Sequence, residues 1–231
     1  MGKRQHLSPQ ARRRRKVQKK KTNWPLIVGI ILAGVVALGA LLALTASDPP
    51  AETLAGYCDD NPERCIVEGA ADAPVTIVNV SDYGCIHCRN FAMGTEALLE
   101  ETYVATGQVR YIVLPFALQA QTVPPAEAAL CAVEQGGYER IHQALFSLQD
   151  NPTGFDRSSI LAVASGVDLE MDAFAGCLDS RKYQATVESN IQAARRSGVS
   201  STPSFFINGV KLTGNQPFEV FQQQITSLLD D

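Results

Sequence analysis

"APVTIVNVSDYGCIHCRNF", residues 73–91, is the stretch whose reading decides the fold. Pro74 to Val80 is short, apolar and β-branched, and Ser81 to Gly84 has turn character, so this reads as a buried strand entering a turn. A helix then starts near Cys85, carries Phe91, Leu98 and Leu99 at helical intervals and stops at Gly107. Cys85 therefore falls at a helix N-terminus, where free amide N–H groups and the helix dipole stabilise a thiolate. Thiolate is the attacking form of sulfur and also the better leaving group. Cys88, one turn deeper on the same side, is placed to attack a mixed disulfide formed at Cys85. His87 lies between them. An imidazole directed at the Cys85 sulfur adds positive charge or a hydrogen bond, and otherwise it is an exposed turn residue. Two other readings of the pair are weaker. A metal half-site needs a second set of ligands, and His6, His142, Cys131 and Cys177 lack paired spacing. A static staple across so short a loop constrains the unfolded chain little.

Further along, "VRYIVLPF" (Val109 to Phe116) reads as a second strand, and strand–helix–strand implies a parallel pair. From Pro124 to about Ser197 the pattern is helical. Strand character returns in "PSFFING" and "VKLTG", joined by Asn208-Gly209 as a hairpin turn, and "PFEVFQQQITSLLDD" closes as a helix. The expected fold is α/β, a small mixed sheet with helices on its faces and a helical insertion over about 120–197. Thr202-Pro203 precedes the hairpin. Proline is disfavoured inside a sheet, so Pro203 should begin the strand or sit at a bend, with a cis bond as one option.

The other end of the chain is built differently. Ten of the 20 Lys and Arg lie in Met1–Asn23, which has no Asp or Glu; the remaining ten face all 24 acidic residues, a net of −14. Leu26 to Leu44 is an apolar run of 19 residues without a polar side chain, roughly 30 Å as a helix, the thickness of a hydrocarbon core. Trp24 falls at headgroup level, and basic residues on one side only place the N-terminus in the cytoplasm. The basic arm then reads as a topology anchor at anionic lipid, and nucleic acid is not expected as a partner. A cleaved signal peptide is the competing reading, with "LTA" before Ser47 as a weak site, but its apolar region is usually shorter. The expected organisation is a basic cytoplasmic arm (1–23), a transmembrane signal-anchor (24–46), a Pro- and Asp-rich tether (47–72) and a folded domain (73–231).

The combination of strand, C-x-H-C, helix, helical insertion and "TPSFFING" resembles the DsbA-like thiol:disulfide oxidoreductases of the thioredoxin superfamily, over about Ala73 to Asp231. That resemblance implies a thioredoxin fold interrupted by a helical domain, with Cys85 as the surface nucleophile and Cys88 as the resolving cysteine. It also implies that Thr202 and a cis Pro203 lie against the dithiol and pair with the substrate backbone. Oxidising members often carry Pro-His between the cysteines, and this chain has Ile86-His87. No cofactor is implied, because the cysteines carry the electrons, and no metal.

Four cysteines remain. Cys131 and Cys177 share the helical block; buried free thiols are the alternative, but an oxidising compartment and the shared helical context favour a Cys131–Cys177 bridge, and some DsbA-like relatives carry a second disulfide in the insertion. Cys58 and Cys65 flank "DDNPER", a turn-forming loop that favours a local bridge. The resulting expectation is a monomeric, single-pass membrane enzyme with its catalytic domain outside. It introduces disulfides into reduced, unfolded clients and is reoxidised by a quinone-linked membrane partner of the DsbB-like or vitamin K epoxide reductase-like kind. A reductase or isomerase of the same fold, and a non-catalytic client-binding or metallochaperone protein, are the rival expectations.

Overall fold

The computed structural model describes residues 53–151 and 154–230. The elements run α1 (Thr53–Asp60), β1 (Ile66–Glu68), β2 (Val75–Ser81), α2 (86–104), β3 (Val109–Pro115), α3 (Val123–Val133), α4 (Tyr138–Ser147), α5 (Arg157–Ser165), α6 (Met171–Asp179), α7 (Gln184–Arg196), β4 (Ser204–Ile207), β5 (Val210–Thr213) and α8 (Phe218–Leu229). The sheet order is β1-β3-β2-β4-β5. β2 and β3 are parallel, from Val75 opposite Val109 to Ser81 opposite Pro115, and every other pairing is antiparallel.

Alternation along the central strands makes two apolar layers, because successive side chains point to opposite faces. Val75, Ile77, Val109, Tyr111, Phe205 and Ile207 join one core with α2, α8 and the helical insertion. Val78, Val80, Ile112, Leu114 and Phe206 join the other, beneath α1 and the end of α7. Both faces are covered, which is why the strand sequences are apolar without interruption. Phe91 anchors α2: its ring centroid is 4.6 Å from that of Phe205 on β4 and 5.6 Å from that of Phe221 on α8. This contact fixes the start of α2 beside the start of β4. Truncating such a buried phenylalanine to alanine costs about 3–5 kcal/mol. Asn208 and Gly209 turn the hairpin with φ of 42° and 85°, a conformation open to Asn and Gly. The Asn208 side chain accepts from the Thr76 N–H at 2.7 Å, tying the hairpin to β2.

One expectation needs correction. The tether expected over 47–72 is folded from Thr53 onward: α1 is a helix and β1 pairs with β3. Leu54, Cys58 and Cys65 are buried there, so the segment contributes core, and Pro62 opens the short 3-10 turn that leads from α1 toward β1. The helix expected from near Cys85 to Gly107 is present, α-helical over Ile86–Phe91 and Ala97–Leu99 and π-helical over Ala92–Glu96 and Glu100–Val104. The expected arm and membrane span at 1–46 lie outside the described residues. Among the described residues no helix is long and apolar enough to cross a membrane.

Candidate active site

The turn between β2 and α2 is held by its own buried acid. The Asp82 carboxylate is 1% exposed and accepts hydrogen bonds from Gly84 N–H at 2.8 Å and Leu118 N–H at 2.6 Å. Burial raises its pKa, against the pull of those donors. Gly84 is required by space: a Cβ there would lie 2.3 Å from Thr122 Cγ2. Cys85 then caps α2 in an extended conformation, its N–H donating to the Asp82 carbonyl at 3.0 Å.

Cys85 and Cys88 are free thiols in unlike surroundings. Cys85 is half-buried and Cys88 is 1% exposed. The Cys88 thiol donates to the Cys85 sulfur, and despite partial burial the Thr202 side chain and the backbone N–H groups of Cys88 and His87 bring the Cys85 pKa down to about 5. Burial, and then the neighbouring Cys85, push Cys88 well above the ordinary thiol range. The local sequence explains the split: the cap position meets the open helix amides, and the residue one turn on is inside.

The Thr202–Pro203 bond is cis, and the Thr202 carbonyl lies 3.2 Å from Cys85 Sγ, where it accepts from the protonated thiol. The buried Thr202 hydroxyl makes no hydrogen bond of ordinary geometry, yet it lies near enough to both sulfurs to favour their charged forms. Of the two readings of His87, the structure has the exposed one, without the imidazole directed at the Cys85 sulfur. The His87 side chain is exposed, no hydrogen bond joins its ring to another described residue, and it reaches the Cys85 sulfur through its backbone N–H. Cys131 is bonded to Cys177, linking α3 to α6, and Cys58 to Cys65, linking α1 to the residue just before β1; their Cα–Cα distances are 5.9 and 5.6 Å. Among the described residues no group of three or more His, Cys, Asp or Glu is placed to hold a metal ion.

A polar network behind the turn was not legible from local sequence patterns. His142 on α4 lies 2.9 Å from the Tyr83 hydroxyl and 3.1 Å from Glu96 on α2. Glu96 also accepts from Tyr111 at 2.6 Å, and Asn79 donates to Tyr111 at 2.8 Å. Burial drives the Glu96 carboxyl up, but His142, Tyr111 and Asn79 together hold it below its ordinary value. The network joins β2, β3, α2 and the insertion, and through Tyr83 it pins the turn that carries Cys85. Its members come from distant parts of the chain, so no local pattern could have found them.

A thiolate and a buried partner thiol at a helix N-terminus, facing a cis proline on a sheet of this order, define the dithiol site of a thioredoxin-like protein. The family model described as Thioredoxin matches residues 61–227, and the chain belongs to the thioredoxin family. The solved structure of alpha-DsbA1 from Wolbachia pipientis is similar, with a TM-score of 0.64 at 25% identity, covering 70% of this chain and 89% of that one. A thioredoxin-like oxidoreductase from Silicibacter pomeroyi gives a TM-score of 0.63 at 25% identity, covering 74% of this chain and 95% of that one. Among curated relatives, the Na(+)/H(+) antiporter NhaA 3 of Salinispora tropica is 33% identical over 175 residues, 72% of this chain. The chain spans only 25% of that relative's length.

Proposed function

We propose that this chain is a membrane-tethered, extracytoplasmic thiol:disulfide oxidoreductase that oxidises folding proteins through Cys85 and Cys88. The observation that carries the reading is the asymmetry of the dithiol. Cys85, with its pKa near 5, is the half-buried sulfur beside cis-Pro203, and Cys88 is shut in beneath it. In the oxidised protein a client thiolate attacks Cys85 Sγ; the Cys85–Cys88 bond breaks and Cys88 leaves, taking up a proton. A second client thiolate then attacks the client sulfur of the mixed disulfide, and Cys85 leaves as a stabilised thiolate. Two electrons pass from client to dithiol. The low pKa of Cys85 favours the reduced dithiol and so makes the disulfide the stronger oxidant. Thr202 and Pro203 are the residues we assign to the client backbone, as the resemblance to DsbA-like proteins implies. A quinone-linked membrane enzyme returns the dithiol to its disulfide, and tethering raises the effective concentration of the pair. Solved DsbA neighbours support the chemistry, and the apolar and basic N-terminal sequence supports the location.

The test is turnover of a reduced, unfolded client by the oxidised chain without glutathione. Cys85→Ser should abolish it, and Cys88→Ser should trap a mixed disulfide through Cys85. A client that stays bound and unoxidised identifies a binder. A potential near about −270 mV, that of reducing thioredoxins, replaces oxidase with reductase.

A further inference from the structure

Besides the His142 contact with Tyr83, the helical insertion reaches the backbone of the catalytic turn through a short segment. After α4 the chain makes a 3-10 turn, Leu148–Asp150, and each of its residues is engaged. Leu148 is 3% exposed and roots the turn in the core. Asp150 forms a bidentate pair with Arg89 of α2, at 2.8 and 2.5 Å. Between them, the Gln149 amide nitrogen donates to the Tyr83 carbonyl at 2.6 Å and to the Cys85 carbonyl at 3.1 Å.

Those carbonyls belong to the Tyr83–Gly84 and Cys85–Ile86 peptides, so the two bonds hold the peptide planes on either side of the Gly84–Cys85 peptide. The Cys85 carbonyl also accepts the first helical bond, from Arg89 N–H at 3.1 Å. The peptide that carries this carbonyl leads directly into the His87 and Cys88 N–H groups that face the Cys85 sulfur. A side-chain amide is suited to the task, because one nitrogen offers two N–H donors and no charge. It also brings the positive ends of two N–H dipoles to the nucleophile's own backbone.

We propose that Gln149 is a positioning residue: by holding the Tyr83 and Cys85 carbonyls it keeps the catalytic turn in its reactive shape, so the seating of the helical insertion sets how reactive Cys85 is. The inference rests on the reading of Cys85 as the nucleophile. It gives the insertion a part in the chemistry as well as in the core. A client or redox partner that shifts the insertion would thereby change the sulfur.

The experiment is an absorbance titration of the Cys85 thiolate at 240 nm in the full chain. It compares the wild type with Gln149→Met and Gln149→Glu, and the glutathione equilibrium constant is measured beside it. Both side chains keep the length of glutamine, so the turn stays filled. Methionine removes the donors, and ionised glutamate puts negative charge where they were. The expected order of Cys85 midpoints is Glu above Met above wild type, with Gln149→Glu raised by about one unit, a tenfold change in acid constant. The glutathione equilibrium should move with it, toward a less oxidising disulfide. Melting temperature checks the fold, and if one variant does not fold the other decides. Unchanged midpoints in folded variants, whatever their melting temperatures, overturn the proposal and leave Cys85 as the nucleophile. A wild-type Cys85 that does not titrate below neutral pH overturns the reading of Cys85, and this proposal with it.

Discussion

The difference between Cys85 and Cys88 has a consequence in proton counts. With the Cys85 pKa at about 5 and Cys88 raised well above the ordinary thiol range, reduction at neutral pH leaves one thiolate and one thiol. One proton then accompanies two electrons, and the midpoint potential should fall by about 30 mV per pH unit; below pH 5, with two protons, the slope should be about 59 mV. A single steep slope across pH 4 to 8 would deny the low Cys85 pKa. The same shift acts on stability. Cys85 is depressed in the fold, so its stabilisation of the reduced protein is fully present above the ordinary thiol range and is lost as pH falls toward 5. The disulfide form has no such dependence, so the stability difference between reduced and oxidised protein should shrink on acidification. At this scale the sequence was informative about Cys85 and Cys88, because a cap position and a position one turn on differ in every helix. It was uninformative about Gln149, whose partners lie 66 and 64 positions away.

Between β1 and α2 the packing of elements creates a second pH dependence, of opposite sign. Glu68, Glu100, Glu101 and Glu139 line one cleft there. Burial, then Glu100, Glu96 and Glu139, push the Glu68 carboxyl up to about 8, and burial and Glu96 bring Glu100 to about 7. A carboxyl raised in the fold favours folding fully below its ordinary pKa and loses that contribution as pH rises through 7 to 8. Glu68→Gln should therefore leave stability near pH 5 unchanged and raise it near pH 9. At about 1.4 kcal/mol per unit the unscreened shift is worth several kcal/mol, and screening in an open cleft reduces that to about 1–2 kcal/mol. Urea unfolding at the two pH values measures it, and an equal gain at both would show that charge is not the cause. Elements were legible where they are long and regular. β2, β3 and the closing hairpin declare themselves by apolar runs and by Asn208-Gly209, whereas β1 has three residues, too few to show a period. α1 is short and leads into a Pro-containing turn, and much of its order comes from the Cys58–Cys65 bridge and from burying Leu54. The π-helical turns of α2 were hidden because they answer to tertiary packing, including the buried Glu96.

On the scale of the whole molecule, the proposed function joins a dithiol domain to a membrane, and the two parts can be tested together. The 19 apolar residues from Leu26 to Leu44 match the hydrocarbon thickness, and the ten Lys and Arg that precede them have no acidic residue among them. On the proposed reading, this arrangement would send the N-terminus to the cytoplasm and the dithiol domain to the other side. Cys85 supplies a reporter, since it is the half-buried thiol with the lowered pKa, whereas Cys88 is buried and the other four cysteines are paired. In intact cells first treated with a permeant reductant at low dose, then washed, a membrane-impermeant maleimide should label the protein at Cys85. Cys85→Ser should remove most of the label. The labelled protein should sediment with membranes and resist alkaline carbonate, because an apolar helix of this length is held by the hydrophobic effect and salt or pH do not release it. Labelling only after the cells are broken open would place the domain in the cytoplasm. A soluble product beginning near Ser47 would show that the apolar run is a cleaved signal, and the dithiol would then meet its reoxidising partner by diffusion, without the advantage of a tether.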